Sequence, residues 1–372
     1  MLRYALFSLL CGLPWLVSAQ IAVPAEAELR LDPIWERVAD VFGEAGSVES
    51  AEFSPDGKQI VSGTKFDNSV IMWRTSDGFE QWRAYHEAEI ERVGFSADGK
   101  YVAACSEDFL TIVYEAATGK VVKKLPHTAG IDGLTWSVTA GRSLLATGEE
   151  DIKVEGEPRH GYLRIFEFPQ GEQIKVLDVG ETINEVAFSP DDAYLLAAHM
   201  DGAVDVFETT NWEKVASLRP EKDFGFVTAQ WSPDGKYIAA SGFGGDVFIW
   251  EFATRKLLRG EPINHSGRKI ETVLFHPSGD YLATAGNDPY IRVFRMDDIR
   301  DARTVRVAYQ VHANDQAEFM DFNADGSFLV SAHQDGVIRL WVWMSEDPDL
   351  NYNRHRKVTA EQRILEQKLR KQ

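Results

Sequence analysis

Short apolar runs separated by polar turns repeat along most of this chain. In the stretch WSPDGKYIAASGFGGDVFIWE, from Trp231 to Glu251, an aromatic residue precedes the turn residues Ser232-Pro233-Asp234-Gly235. Proline restricts φ at the first corner of a turn and glycine accepts a positive φ, so this tetrapeptide predicts a tight turn. The runs 237–240 and 247–250 are β-branched or aromatic and have the length of strands. The stretch therefore predicts a β-hairpin.

The same pattern recurs in seven copies that begin 41 to 52 residues apart. The copies begin at the aromatic residues Phe53, Phe95, Trp136, Phe188, Trp231, Phe275 and Phe322. They close on a second set of aromatic residues, Trp73, Tyr114, Phe166, Phe207, Trp250, Phe294 and Trp341. A period of this length with four strands in each unit is typical of a β-propeller blade. We therefore predict an all-β chain that forms a seven-bladed β-propeller of four-stranded antiparallel blades.

The repeats resemble those of the WD-repeat family over residues 36–343. The family's Trp-Asp pair corresponds to Trp73-Arg74, Tyr114-Glu115, Phe166-Glu167, Phe207-Glu208, Trp250-Glu251, Phe294-Arg295 and Trp341-Val342. The family's set of His, Ser, Asp and Trp is nearest to complete in the last copy, with a displaced His312, Ser331, Asp335 and Trp341. The resemblance implies a scaffold that contacts protein partners through the face where the innermost strands begin.

The N-terminal residues differ from the repeats. Arg3 precedes an apolar stretch of 14 residues, Tyr4 to Val17, which is followed by Ser18 and Ala19. Such a segment is typical of a cleaved signal peptide and is too short to span a bilayer comfortably. We therefore predict a signal peptide at 1–19, cleaved before Gln20, and a periplasmic or secreted mature protein without a transmembrane span. The mature chain would comprise a lead segment at 20–35, the propeller at 36–344 and a basic tail at 345–372.

Residues 30–46 allow two interpretations. Asp32-Pro33, followed by spaced apolar residues, resembles the start of a short capped helix. The alignment of the repeats instead places residues 37–42 on the outer strand of a blade, and the last copy lacks a fourth strand of its own. Because an unpaired sheet edge is unfavourable, we predict that residues 37–42 close the ring as the outer strand of blade seven.

Two segments depart from the repeat pattern. An acidic insertion of about 11 residues, 149–159, separates the second and third strands of the third copy. It is either part of a binding surface or a solvated hairpin without function. Residues 351–372 contain seven Lys or Arg against two Glu, and this short tail is either helical or disordered. Cys105, the single cysteine after residue 19, is expected to be buried without a disulfide.

The balance of charge restricts the class of partner. The chain carries a formal net charge of −19, although its C-terminal tail is basic. An acidic body of this kind repels phosphate backbones and anionic membrane surfaces. We therefore predict no nucleic-acid partner, but a protein or peptide with basic and apolar character. The oligomeric state stays open.

Carboxylates recur four residues before the leading aromatic residues, near the start of each innermost strand. The seven positions hold Glu49, Glu91, Asp132, Asn184, Val227, Glu271 and Glu318. A sevenfold ring would gather them at the mouth of the central channel, where like charges raise pKa values or recruit a counter-ion. Val227 and the preceding Phe226 would add an apolar sector to this acidic ring. We predict that these eight residues bind the partner; the alternative is that they are ordinary solvated strand ends.

Motifs for catalysis are absent from the sequence. It contains no Gly-x-Ser-x-Gly, His-Glu-x-x-His or Cys-x-x-Cys motif and no phosphate-binding loop at the start of a helix. We predict no catalytic residues, no metal ligands and no cofactor, and we favour a non-enzymatic scaffold. The alternative is a hydrolase, lactonase or lyase that uses carboxylates, or a divalent cation held by them, at the channel mouth.

Overall fold

The computed structural model describes residues 29–344, except residues 41, 43–45, 140, 142, 152–158, 222–224, 265–266 and 302–304. These residues form seven antiparallel sheets, and the innermost strands of neighbouring sheets contact one another around a closed ring. The predicted all-β, seven-bladed propeller is confirmed. The predicted signal peptide and the C-terminal tail lie outside the described residues.

Each blade runs outward from its innermost strand in chain order. Blade one contains β2 (Val48–Phe53), β3 (Gln59–Thr64), β4 (Ser69–Arg74) and β5 (Phe79–Tyr85). Blade two contains β6 (Ile90–Phe95), β7 (Tyr101–Ser106), β8 (Leu110–Glu115) and β9 (Val121–Pro126). Blade three contains β10 (Ile131–Trp136), β11 (Leu144–Glu149), β12 (Tyr162–Glu167) and β13 (Glu172–Asp178). Blade four contains β14 (Ile183–Phe188), β15 (Tyr194–His199), β16 (Val204–Glu208) and β17 (Lys214–Leu218).

The remaining blades carry the variations. Blade five contains β18 (Phe226–Trp231), β19 (Tyr237–Gly242), β20 (Asp246–Glu251) and an outer strand split into β21 (Lys256–Leu257) and β22 (Ile263–Asn264). Blade six contains β23 (Ile270–Phe275), β24 (Tyr281–Gly286), β25 (Asp288–Arg295) and β26 (Tyr309–His312), with helix α1 (Met296–Asp301) after β25. Blade seven contains β27 (Ala317–Phe322), β28 (Phe328–His333), β29 (Val337–Met344) and, as its outer strand, β1 (Arg30–Val38).

The Pro-Asp-Gly turns join the first and second strands through one set of side-chain hydrogen bonds. In blade five, the Ser232 hydroxyl donates to the Asp234 carboxylate at 2.7 Å and accepts from the Tyr237 amide at 2.9 Å. Gly235 has a φ of 69°, which glycine adopts without steric cost. The motif therefore specifies the turn locally, which explains why the repeat was visible in the sequence.

The closing strand is found in the predicted blade, but not at the predicted residues. It spans Arg30–Val38 rather than 37–42, and it pairs with β29 from Arg30↔Met344 to Val38↔Val337. The helical interpretation of this segment is also wrong. β29 is eight residues long, so pairing begins well before residue 37, and the register shifts between Pro33 and Trp35. Pro33 is tolerated because the strand lies at the edge of its sheet, where one side of the backbone needs no ladder partner.

Apolar side chains fill the spaces between blades. Trp231 and Trp250 lie in one buried cluster with Leu196 and Val206 of blade four. Cys105 is buried between blades two and three and has no disulfide partner. The blades are therefore held face to face by apolar packing, while mostly polar side chains line the axis of the ring.

One residue of the predicted acidic insertion belongs to the core instead. Glu149 is the last residue of β11 and is fully buried. It accepts hydrogen bonds from Thr128 at 2.6 Å and from His127 at 2.8 Å, and it pairs with Arg164. Residues 152–158 of the insertion lie outside the described residues. Assigning Glu149 to the insertion was wrong, because β11 extends one residue further than the repeat alignment indicated.

Candidate partner-binding cavity

All seven innermost strands share one irregularity in their pairing. Between the innermost strand and its neighbour the register skips a single residue, as between Val48↔Thr64 and Ser50↔Gly63 in blade one. The skipped residues are Glu49, Glu91, Asp132, Asn184, Val227, Glu271 and Glu318. We call these seven residues the bulge ring. A β-bulge removes a residue from the ladder and redirects its side chain, so the ring follows from the same backbone feature in every blade.

The bulge ring lines one cavity. The cavity has a volume of about 620 Å³ and receives a bulge-ring residue from each of the seven blades. The seven positions predicted from the repeat are thus brought together at the channel mouth. Their role in binding a partner is taken up below as a proposal.

Phe226 does not belong to this cavity. Its side chain is fully buried and packs edge-on against Trp250 and Phe248, between blades four and five. It precedes the bulge, so it keeps the inward orientation of its paired strand, whereas Val227 is redirected to the mouth. The apolar sector expected here is instead formed by Val227 with Met200 and Phe243.

A second ring of residues surrounds the bulge ring. Its members follow the second strand of each blade: Lys65, Glu107, Glu150, Met200, Phe243, Asn287 and Gln334. Each amide donates to the carbonyl two residues before the bulge-ring residue of its blade, for example Lys65 to Ser47 at 3.0 Å and Gln334 to Gln316 at 3.1 Å. Sequence reasoning missed this second ring. Its members share a position in the repeat but no chemical property, so no composition signal marked them.

Burial of the bulge-ring carboxylates makes them harder to ionise. Burial raises the pKa of Asp132 to about 8, and the charges of Glu150 and Glu107 act in the same direction. The pKa of Glu318 is also raised to about 8, by burial and by the charges of Glu271 and Glu49. A positive charge close to such a carboxyl group favours its ionised form. A cation that entered the cavity would therefore lower the pKa values of Asp132 and Glu318.

Three cationic side chains that the sequence reasoning did not predict line this cavity: Lys65, Arg92 and Lys269. The Lys65 ammonium lies 2.8 Å from Glu89, and the Lys269 ammonium lies 2.8 Å from Glu271. Each of these two lysines therefore already has a carboxylate. Glu91, whose pKa is raised well above its usual range by burial and by neighbouring Glu49 and Asp132, has no such direct ion pair among the described residues.

The Arg92 side chain of blade two contacts residues of two other blades. Its guanidinium lies 3.2 Å from Glu185 of blade four and 4.6 Å from the centre of the Phe319 ring of blade seven. These contacts connect three blades of the ring through one side chain. The sequence could have indicated Arg92 as a cation beside the bulge ring, because it directly follows Glu91. The repeat pattern did not mark it, because no other blade carries an arginine at the equivalent position.

Three carboxylates beside the cavity could hold a metal ion. One oxygen of each of Glu107, Asp132 and Glu150 lies within 4.8 Å of the others. Burial and the charges of Glu150 and Glu89 raise the pKa of Glu107 to about 7. Oxygen ligands of this kind suit Mg²⁺ or Ca²⁺. The sequence prediction named no metal ligands, and two of these three residues belong to the second ring that it missed.

Comparison with known proteins bears on the family. The model described as "WD domain, G-beta repeat" matches residues 35–74, 83–115, 259–295 and 305–342. These matches fall on the repeats that the structure shows as blades. The chain is a β-propeller that contains WD repeats. A second model, described as "Eukaryotic translation initiation factor eIF2A", matches residues 106–243 of this WD-repeat propeller.

Curated relatives of this WD-repeat propeller include proteins named "Eukaryotic translation initiation factor 3 subunit I". The protein of Coccidioides immitis is 25% identical over 238 residues, which are 59% of this chain and 66% of that protein. The protein of Aspergillus terreus is 28% identical over 217 residues, or 55% of this chain and 61% of that protein. The protein of Kluyveromyces lactis is 23% identical over 240 residues, or 59% of this chain and 65% of that protein. The match thus spans less than two thirds of these relatives' length.

The predicted periplasmic or secreted location is wrong. The relatives are subunits of a eukaryotic translation initiation factor, and translation initiation is a cytoplasmic process. The prediction of export depended on the apolar stretch at 4–17. The polarity of one short segment does not determine where the protein is located. Within the part of the chain that the structure describes, no helix is long and apolar enough to cross a membrane.

Proposed function

We propose that this WD-repeat propeller is a non-enzymatic scaffold that binds a protein partner through the channel-mouth cavity. The observation that supports this most directly is the convergence of seven bulged residues, five of them carboxylates, on one cavity. The relatives named as initiation-factor subunits support a role within a larger protein assembly. No part of the proposal requires a catalytic group.

The partner contributes a lysine or arginine side chain together with an apolar side chain. The cation enters among Glu91, Asp132 and Glu318, which have no lysine of their own within the described residues. The apolar side chain packs on Met200, Val227 and Phe243, which lie on blades four and five. The Lys269 ammonium lies 5.0 Å from the centre of the Phe243 ring, so this aromatic face already attracts a cation. A peptide segment with neighbouring basic and apolar residues satisfies both sectors.

Co-purification from the source cells tests this assignment. The variant E91Q/D132N/E318Q should retain less than a tenth of the partner that the native chain captures, since each lost charge contact to a buried cation contributes about 1 to 3 kcal/mol. The control variant E167Q/E172Q/E213Q removes the same number of carboxylates from exposed positions outside the cavity. Equal capture by both triple variants would contradict the proposal.

A second candidate function rests on the carboxylates of Glu107, Asp132 and Glu150. A divalent cation held by them could activate water for a hydrolase, lactonase or lyase reaction at the cavity. Calorimetric titration with Ca²⁺ and with Mg²⁺ tests this candidate. One-to-one binding that is abolished in E107Q/E150Q would support it, while heat of dilution alone would eliminate it.

A further inference from the structure

Clusters of three aromatic rings fill alternate clefts between blades, at the face where the innermost strands end. Each cluster contains the tyrosine that begins the second strand of one blade and two aromatic residues of the next blade. One of these two is the leading aromatic residue of its repeat, and the other lies two positions after the closing aromatic residue. The three clusters are Tyr101, Trp136 and Phe168; Tyr194, Trp231 and Phe252; and Tyr281, Phe322 and Trp343.

The residue two positions after the closing aromatic residue supplies the third ring of each cluster. In the cleft between blades two and three, the ring centres of Trp136 and Phe168 lie 4.9 Å apart at an angle of 66°. In the cleft between blades four and five, those of Trp231 and Phe252 lie 4.9 Å apart at 82°. This edge-on arrangement is favourable for aromatic pairs. The clefts therefore show which kind of side chain this position accepts.

The cleft between blades five and six has the same two walls but no third ring. Tyr237 begins β19, and Phe275 is the leading aromatic residue of blade six. The third position holds Met296. Its amide donates to the carbonyl of the residue before β24 at 2.8 Å, as the amides of the three aromatic residues do in their own blades. The backbone position is therefore the same, and the side chain differs.

A cavity of about 300 Å³ occupies this cleft. It is lined by Tyr237, Phe275 and Met296, by the turns that join the first and second strands of blades five and six, and by Arg300. This volume is at the lower end of the range of ligand pockets in proteins. The cavity therefore suits one large side chain.

The short helix α1 brings a cation to the cavity. Met296 and Arg300 are four residues apart, so they lie on one face of α1. The guanidinium carbon of Arg300 lies 5.4 Å from the centre of the Tyr237 ring. Its ion pair at 3.2 Å is with Asp297, whose side chain is 89% exposed, and exposed pairs of this kind are weak. The guanidinium can therefore offer its positive charge to the negative face of a second ring.

We propose that this cleft binds an aromatic side chain of a protein partner. The ring packs edge-on against Phe275, where the other clusters use a ring of their own chain, and Arg300 contacts its face. Met296 adjusts to the ring, because its side chain is flexible and its thioether sulfur contacts aromatic rings favourably. Asp234 and Asp280 also line the cavity and disfavour an acidic residue beside that ring. The cleft lies at the opposite end of the innermost strands from the bulge ring, so the proposal does not depend on the channel-mouth cavity.

Saturation-transfer NMR with N-acetyltryptophanamide, an uncharged mimic of a tryptophan residue, tests the proposal on the full chain. The native chain should bind it more tightly than N-acetylleucinamide, because only a ring offers an aromatic face to Arg300. The variant R300Q should weaken binding by about two- to fivefold. The variant M296F should abolish binding, because the chain then supplies the third ring itself. R255Q is the matched control and should bind as the native chain does, since Arg255 is exposed on the turn after β20 and does not line the cavity.

Two outcomes would overturn the proposal. One is equal binding of the tryptophan and leucine amides, or equal binding by the native chain, R300Q and M296F when thermal melting shows that all of them are folded. The other is loss of binding in V227S with full binding in R300Q, which would assign the ring to the apolar sector of the channel-mouth cavity. If M296F does not fold, the comparison of R300Q with R255Q decides.

Discussion

At the scale of single residues, the buried carboxyl groups of the channel-mouth cavity lower the stability of the fold as the pH rises. Burial of Asp132 and Glu318 disfavours the ionised form of each carboxyl group, which raises the pKa of both to about 8. A folded state that holds a proton more tightly than the unfolded state loses stability as the pH rises from the ordinary carboxyl range to the raised pKa. A bound cation would reverse this loss, because it favours the ionised form.

Substitution of Asp132 tests this exchange. Asp132→Asn should reduce the fall in melting temperature between pH 5 and pH 8 and raise the melting temperature at pH 8, because no charge then has to form in the cavity. Thermal denaturation at both pH values measures the effect, with the exposed Glu172→Gln as control. A variant less stable than the native chain at pH 8 would contradict this account.

Glu149 shows the opposite behaviour. Burial opposes its ionisation, but hydrogen bonds from His127, Arg164 and Thr128 outweigh burial and lower its pKa to about 2. Its contribution to stability is therefore present at neutral pH and is lost as the pH falls toward 2.

Glu149→Gln should lower the free energy of unfolding by about 3 to 5 kcal/mol at pH 7, because Arg164 loses its charged partner. Urea denaturation at pH 7 measures this; a loss below 1 kcal/mol would show that the pair is dispensable.

At the scale of elements, β1 connects blade seven to blade one as well as completing its own sheet. The Trp35 indole donates to the Thr75 carbonyl at 2.8 Å, and Arg37 Nε donates to the Gly78 carbonyl at 3.0 Å. Both acceptors belong to the segment between β4 and β5. The outer strand of one blade therefore covers the turn of the next, as Trp82 and Lys123 do in the following blades.

Removal of β1 should lower the stability of the whole ring. A chain lacking residues 20–38 loses the pairing of β29 and the contacts to blade one, so it should melt at a lower temperature and associate through the exposed edge. Differential scanning calorimetry and light scattering measure the two effects. Val38→Ser, at a position with an exposed fraction of 59%, is the control and should melt as the native chain does. Equal melting of the shortened and native chains would show that β1 is not needed for closure.

At the scale of the whole molecule, net charge opposes compactness. The chain contains 58 acidic and 39 Lys or Arg residues, and repulsion among the excess carboxylates favours expanded states. Added salt screens this repulsion over a Debye length of about 10 Å at 0.1 M. The melting temperature should therefore rise between 20 mM and 500 mM NaCl at pH 7. A fall over this range would show that attractive ion pairs outweigh the repulsion.

The features predicted from the sequence are those that each repeat specifies locally. The turn at Ser232-Pro233-Asp234-Gly235 and the aromatic residues around it depend on neighbours within a few positions, so seven copies predicted the blades. The limits of β1 depend on β29, about 300 residues away, and were misplaced. Lys65 and Phe243 of the second ring share only a backbone position, which composition does not show. The prediction of a periplasmic or secreted location depended on residues outside the repeats and was wrong.

The pairing of β1 with β29 determines the order in which the ring can be completed during synthesis. The ribosome releases Arg30–Val38 before any blade, yet their partner Val337–Met344 follows only after the first strands of all seven blades. Of the strands that the structure describes, the one that is made first is thus paired last, and its polar backbone must stay solvated through most of translation. Contacts of such large sequence separation form slowly. Fusing β1 after β29 in a circular permutant would make this contact local, and that permutant should refold faster than the native chain.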